Sequence, residues 1–296
     1  MDTRMSDRER TAERLLAASA KHSFDPDTEL DWDAPFEEGM WFWPPELVSL
    51  YDTELWRRMP QEQRIELSRH EVASLCSIGI WFETILMQLL LRHTYDLDPT
   101  SGHVRYALTE IADECRHSKM FARAVTKMGT PAYRPSRTDH ALGRVLKTVS
   151  TTPGAFTGTL LAEEILDWMQ RLTFPDERVQ PLIRGVTRIH VVEESRHIRY
   201  AREELRRQME TAPRWEVGLT RVTSAEAARV IARSLISPRV YAEVGLDPVR
   251  AVEEARNSPH RRDVLRQSAK RLMDFFEEVD LLRGATAPLW RSSGLL

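Results

Sequence analysis

Glutamate followed three residues later by histidine occurs twice, in Asp113-Glu114-Cys115-Arg116-His117 and in Glu193-Glu194-Ser195-Arg196-His197. On a helix, positions i and i+3 share a face, so each pair can grip one metal ion. One such pair arises easily by chance. Two upstream glutamates sharpen the pattern, because Glu83 lies 31 residues before Glu114 and Glu163 lies 31 residues before Glu194. The sets 83/114/117 and 163/194/197 therefore repeat with a constant offset of 80. Two helices giving one Glu each, and two giving Glu-x-x-His, is the carboxylate arithmetic of a four-helix di-metal bundle.

Four carboxylates in an apolar core would repel or take up protons, and two divalent ions would neutralise them. Oxygen donors with a few imidazoles suit two iron ions, two manganese ions or a mixed pair, with positions open to O2, better than a closed zinc site. Glu163 and Glu164 are adjacent, so only one can face inward, and the 31-residue spacing selects Glu163. His190 stands four residues before Glu194 and seven before His197, which puts the three within about 60° of one helical face. It is either a seventh protein ligand or a packed histidine. Asp113 and Glu193 each precede a ligand glutamate. Acids there accept a proton from the outer nitrogen of an imidazole on another helix and so fix its tautomer. Arg116 and Arg196 either neutralise those acids or form an exposed charge pattern. Cys115 reads as packed, and Tyr200 as a helix-packing residue or, less simply, a redox tyrosine.

Leu, Ala, Glu and Arg dominate, glycine is sparse at 12, and alternating β-branched sequence is rare, so the chain reads as all-α. At 296 residues it fits one domain over 1–296. The expected organisation is a strap over 1–60, a ligand bundle over about 61–211 and C-terminal helices over 212–296. Within it, helices are expected at 7–22, 61–93, 103–129, 138–150, 155–173 and 177–211, with roughly three more from 223 to 283. The aromatic, proline-bearing stretch 23–46 has apolar area to bury and reads as an ordered wrap. Ser74–Leu91 is apolar for eighteen residues with Glu83 in its middle. A buried carboxyl there is either protonated or salt-bridged, or it binds a metal ion, and the charged flanks argue for a core helix over a membrane span. Trp81, Phe82, Met87, Phe121, Trp168 and Met169 sit near the ligands and are expected either to line a substrate cavity or to pack as core. A formal charge of −3 recruits neither nucleic acid nor an anionic membrane. Two cysteines and no signal-like start lead to the expectation of a cytoplasmic protein.

The ligand pattern resembles the di-iron arylamine N-oxygenases typified by p-aminobenzoate N-oxygenase. The motif His190-Val191-Val192-Glu193-Glu194-Ser195-Arg196-His197 reproduces that family's His-x-x-x-Glu-x-x-His. The remaining ligands match as Glu83 in Trp81-Phe82-Glu83-Thr84, Glu114 and His117 in the first repeat, and Glu163 in Leu161-Ala162-Glu163-Glu164. The similarity covers about residues 60–210. It implies a ferritin-like bundle with additional N- and C-terminal helices, a homodimer, and an oxygenase that activates O2 at two iron ions with electrons from an external donor. The implied reaction is stepwise oxidation of an amine on a small-molecule substrate. A di-metal acyl desaturase or hydroxylase shares the ligand repeat without using His190, and an iron-binding ferritin-like protein shares the bundle without catalysis.

Overall fold

Four long helices carry the acids and imidazoles singled out above. In this computed structural model, which describes residues 6–296, the helices in chain order are α1 (Asp7–Lys21), α2 (Pro26–Glu29), α3 (Glu54–Arg58), α4 (Gln61–Thr94), α5 (Gly102–Met128), α6 (Arg137–Val149) and α7 (Thr152–Thr173). They continue as α8 (Pro181–Thr211), α9 (Arg214–Ser234), α10 (Arg239–Glu243), α11 (Pro248–Asn257), α12 (Pro259–Glu278) and α13 (Ala287–Ser293). Residues 1–5 of the expected strap, where a signal-like start would be sought, lie outside the described residues. The described residues contain no strand, only an isolated parallel bridge between Trp41 and Val179.

Local chemistry sets the ends of the ligand helices. The Ser101 hydroxyl accepts from the Val104 N–H to open α5, and Gly129, at φ 66°, closes it in the left-handed region that glycine adopts without strain. Thr151 caps α7 in the same way through the Gly154 N–H. α8 begins at Pro181 rather than near 177 because the preceding backbone pairs with the wrap: Trp41 N–H donates to Arg178 O at 2.9 Å and Gln180 N–H donates to Trp41 O at 2.8 Å. Backbone groups spent on that bridge cannot join the helical ladder. After the turn at Pro213 the chain resumes a helix at once, so α9 starts at Arg214, some nine residues earlier than the sequence pattern suggests.

Hairpins α4–α5 and α7–α8 pack face to face, α4 on α7 and α5 on α8, giving an all-α four-helix bundle. α4 is apolar and long enough to cross a membrane by composition. Here it is the bundle's core helix, with Ile78, Phe82, Leu86 and Leu90 buried around Glu83. The wrap is ordered as its composition suggests: Trp32, Phe42 and Trp43 are buried, and the Arg123 guanidinium lies 4.5 Å over the Trp32 ring. Each buried aromatic contributes roughly 1.5–3 kcal/mol of transfer free energy. α1 lies on α5 and α8, where Arg8 donates to Glu204 at 2.9 Å and also bonds His93 and His103. α6 and α9 flank α4 and α7 respectively and close the side of the bundle that faces Trp81.

Candidate metal centre

Glu83 on α4, Glu114 and His117 on α5, Glu163 on α7, and His190, Glu194 and His197 on α8 all turn into the bundle axis, and each is at most 4% exposed. Ligand atoms of Glu83, His117 and His190 lie within 4.8 Å of one another, as do those of Glu114, His117 and Glu194, and those of Glu163, His190 and Glu194. Glu114 lies between the two repeat imidazoles, with His117 Nδ1 3.2 Å from its Oε2 and His197 Nδ1 3.0 Å from its Oε1. Glu194 Oε1 is 3.2 Å from His117 Nδ1, 3.1 Å from His197 Nδ1 and 3.6 Å from His190 Nε2. Both central carboxylates therefore bridge the repeats.

The outer nitrogens are tied across helices. His117 Nε2–H on α5 donates to Glu193 Oε2 on α8 at 2.8 Å, and His197 Nε2–H on α8 donates to Asp113 Oδ2 on α5 at 3.2 Å. These bonds hold one ring proton on each outer Nε2 and turn both Nδ1 atoms inward, where a metal would bind on losing any proton there. Arg116 bonds Asp113 and reaches Glu193 at 3.4 Å, while Arg196 lies 3.4 Å from Asp113 and 3.8 Å from Glu193. His190 Nδ1–H donates to Gln170 Oε1 at 2.7 Å, which turns Nε2 toward Glu83 at 3.8 Å. Ser118 donates to Glu83 Oε2. Glu164 faces away from the cluster and binds Arg202 through both oxygens, leaving Glu163 as the inward member of the pair.

The electrostatics are those of a pocket short of positive charge. Burial pushes the Glu83 carboxyl up, and it pushes Glu163 well up with help from the charges of Glu194 and Glu114. His117 and His197 rise well above the usual imidazole range: burial opposes this, but hydrogen bonds to Glu114 and Glu193 outweigh it for His117 and the charge of Glu194 does so for His197. Glu194 is held well below the carboxylate range against its burial, by the charges of His197 and His190. The surrounding carboxylates thus favour positive charge at both imidazoles, a charge that divalent cations would supply. Glu83 Oε1, Glu114 Oε1 and Glu194 Oε2 are buried without a hydrogen-bond partner. Unpartnered buried carboxylate oxygens are costly, and cations among them would supply the missing partners. Four carboxylates and three imidazoles fit a pair of iron or manganese ions.

Three residues here escaped the sequence reading. Glu110, four before Glu114 on the same face of α5, is 1% exposed with both oxygens unpartnered, and groups with Glu114 and His197. Its i, i+4, i+7 spacing to Glu114 and His117 was a usable signal. Gln170, seven after Glu163 on α7, had the same spacing signal, whereas Ser118, next to His117, carried none.

Other expectations are corrected. Cys115 is exposed, 3.4 Å from Met87 Sδ, because the residue after an inward Glu114 is rotated about 100° off the core face. Tyr200, by contrast, packs as expected: it is buried against Tyr106 and His103, its hydroxyl 3.1 Å from His103 Nδ1, on the α1 side of the bundle. A cavity of about 330 Å3 reaches Glu163; of the six residues expected to line a cavity or pack as core, Trp81 and Phe82 border it, while Phe121 and Met169 are buried core. α6 and α9, which the sequence did not tie to the site, form its far walls. Gly143 of α6 permits this: a Cβ there would come within 2.6 Å of the Trp81 ring.

The profile of the p-aminobenzoate N-oxygenase AurF family matches residues 5–280. Uncharacterized proteins of Mycobacterium tuberculosis and Mycobacterium bovis are 30% identical over 203 residues, covering 66% of this chain and 59% of theirs. The chain thus spans about three-fifths of the length of the curated relatives it matches. Among solved structures, an R2-like ligand-binding oxidase variant with an anaerobically reconstituted Mn/Fe cofactor aligns at TM-score 0.46 and 13% identity, over 92% of this chain and 94% of that one. A second variant, reconstituted aerobically, aligns at TM-score 0.44 and 13% identity, over 99% and 92%.

Proposed function

The chain belongs to the p-aminobenzoate N-oxygenase family, and from that membership we propose that it is an O2-dependent di-metal oxygenase that oxidises an amine on a small organic substrate. Glu83, Glu114, His117, Glu163, His190, Glu194 and His197 would hold the two ions, with Asp113 and Glu193 orienting the imidazoles. When bound, iron or an iron–manganese pair supplies the electrons that activate O2. Overall, R–NH2, O2, two electrons and two protons give R–NHOH and water, so an external reductant is required.

The protein's part is positioning and charge control. The crossed His–carboxylate bonds lock both imidazole tautomers. Gln170 aims His190, and the apolar walls of α4 and α7 exclude water from the cluster. Glu163 stands between the cluster and the cavity, so a bound amine reaches the ions from that side. One observation carries the reading: seven buried donors from four helices converge beside an organic-sized, apolar cavity. Such a cavity suits a substrate and not hydrated iron, which argues against storage. The test is to load the protein with iron(II), measure metal per chain, and follow products formed from 18O2, a reductant and an amine panel. Two ions per chain and 18O-labelled hydroxylamine support the assignment. Uncoupled O2 reduction with every amine would overturn it. The same reading carries a homodimer and a cytoplasmic location, checked by light scattering and fractionation.

A further inference from the structure

The cavity at Glu163 runs along the bundle, with Thr151 at the cap of α7 and Gly158 and Glu163 within that helix on one wall, and Leu219 to Ile231 of α9 on another. The twelve helical steps from Leu219 to Ile231 correspond to a length of about 18 Å. No Lys, Arg or His is among its lining residues, and the ionisable ones are Glu163 and Glu226. Glu226 is held anionic by its hydrogen bonds from Arg229, against a smaller effect of burial. Guanidinium groups on the surrounding helices are engaged elsewhere: Arg233 binds Asp139, and Arg92 donates to the carbonyls of Lys147 and Thr148. At the rim, Leu142, Val145, Val149, Leu219 and Val222 are at least 38% exposed, so the apolar surface continues to the outside.

A carboxylate taken into this space would meet no cation and, at Glu226, a like charge, while the lining hydroxyls of Thr159 and Thr223 already donate to the Ala155 and Leu219 carbonyls. An aminobenzoate is only about 7 Å from amine to carboxylate, so with its nitrogen at Glu163 its anionic end would still lie between apolar walls. Burying an unpaired charge there is avoided by protonation. We propose that the cavity selects elongated amines whose bodies are apolar and uncharged, such as a 4-alkylaniline, and rejects the aminobenzoate anion. This specificity rests on the di-metal reading for where the amine sits; the cavity chemistry that excludes the anion does not.

The test is calorimetric titration of the anaerobic iron(II)-loaded protein at pH 7 with 4-butylaniline and with p-aminobenzoate, with metal content measured on the same samples. An ordinary carboxylic acid near pKa 4.5 is neutral in only about one molecule in 300 at pH 7. p-Aminobenzoate should therefore bind about 300-fold more weakly than the neutral amine, and gain about tenfold for each pH unit lowered toward 5. Gly158→Phe should abolish 4-butylaniline binding while metal content is retained, since Gly158 faces the cavity with Leu146 Cδ2 3.9 Å from where its Cβ would stand. Leu146→Arg, a change on a partly exposed helix face, should raise p-aminobenzoate affinity by supplying the missing cation. Equal or tighter binding of p-aminobenzoate by the wild type, binding of neither compound, or no gain in Leu146→Arg would overturn the proposal. Low metal content with the expected ligand preference would instead count against the di-metal reading alone.

Discussion

Replacing Glu193 with Gln tests the crossed bonds that hold the two halves of the centre together. Glu193 is fully buried and accepts through both oxygens: Oε2 from His117 Nε2–H at 2.8 Å, Oε1 from the Phe24 N–H at 3.0 Å and from Arg116 at 3.4 Å. A glutamine keeps the shape but offers only one accepting oxygen. If its amide NH2 faces Phe24, two donors meet and the wrap loses a buried bond, a cost of about 1–3 kcal/mol. If the NH2 faces His117 instead, the imidazole must carry its proton on Nδ1, the atom that faces Glu114 and Glu194, and cannot bind metal there. Disturbing an outer hydrogen bond of a metal-binding imidazole lowers affinity about 10–100-fold, equivalent to roughly 1.4–2.7 kcal/mol. Competitive chelator titration of manganese(II), with thermal melts of the same samples, would separate the two outcomes. Glu193→Gln should lose metal affinity, melting temperature or both, and Glu193→Ala should be worse on both counts. A Gln variant indistinguishable from wild type in affinity and melting would refute the role given to this bond.

Chelation should lower the melting temperature, because ions that bind only the folded chain stabilise it by mass action. The metal-free protein should also lose stability as pH rises from 5 to 8: Glu83, Glu163, His117 and His197 all have raised folded values, so their stabilising contribution is present at low pH and lost on passing upward. Flat metal-free stability across that range would contradict the convergence. Far from the site, burial pushes Glu71 up to about 7 from an ordinary 4.5, a difference worth about 3 kcal/mol. Its contribution is complete below pH 4.5 and fades as pH climbs through 7, so Glu71→Gln should be near neutral at pH 4.5 and stabilising at pH 8 in urea unfolding. His190→Ala should keep the fold and most of the metal on six remaining donors, yet alter the optical traces of the reduced protein mixed with O2. Superimposable traces would remove His190 from the ligand set.

Much of this protein is legible in the order of its residues. The 31-residue spacing of Glu83/Glu114 and Glu163/Glu194 encodes two helical hairpins of equal span, and Glu-x-x-His needs only helical periodicity to aim both side chains one way. The helices α4, α5 and α7 fall within a few residues of expectation because serine and threonine caps, proline and Gly129 are local signals. What lay beyond the sequence depends on neighbours distant along the chain. The start of α8 is set by a bridge to Trp41, and the tautomers of His117 and His197 by acids about 80 residues away. The cavity is made by α6 and α9 lying against α4 and α7, with Gly143 admitting Trp81. Periodicity marks which face of a helix is apolar; only packing decides whether that face is filled by side chains or left open beside Glu163.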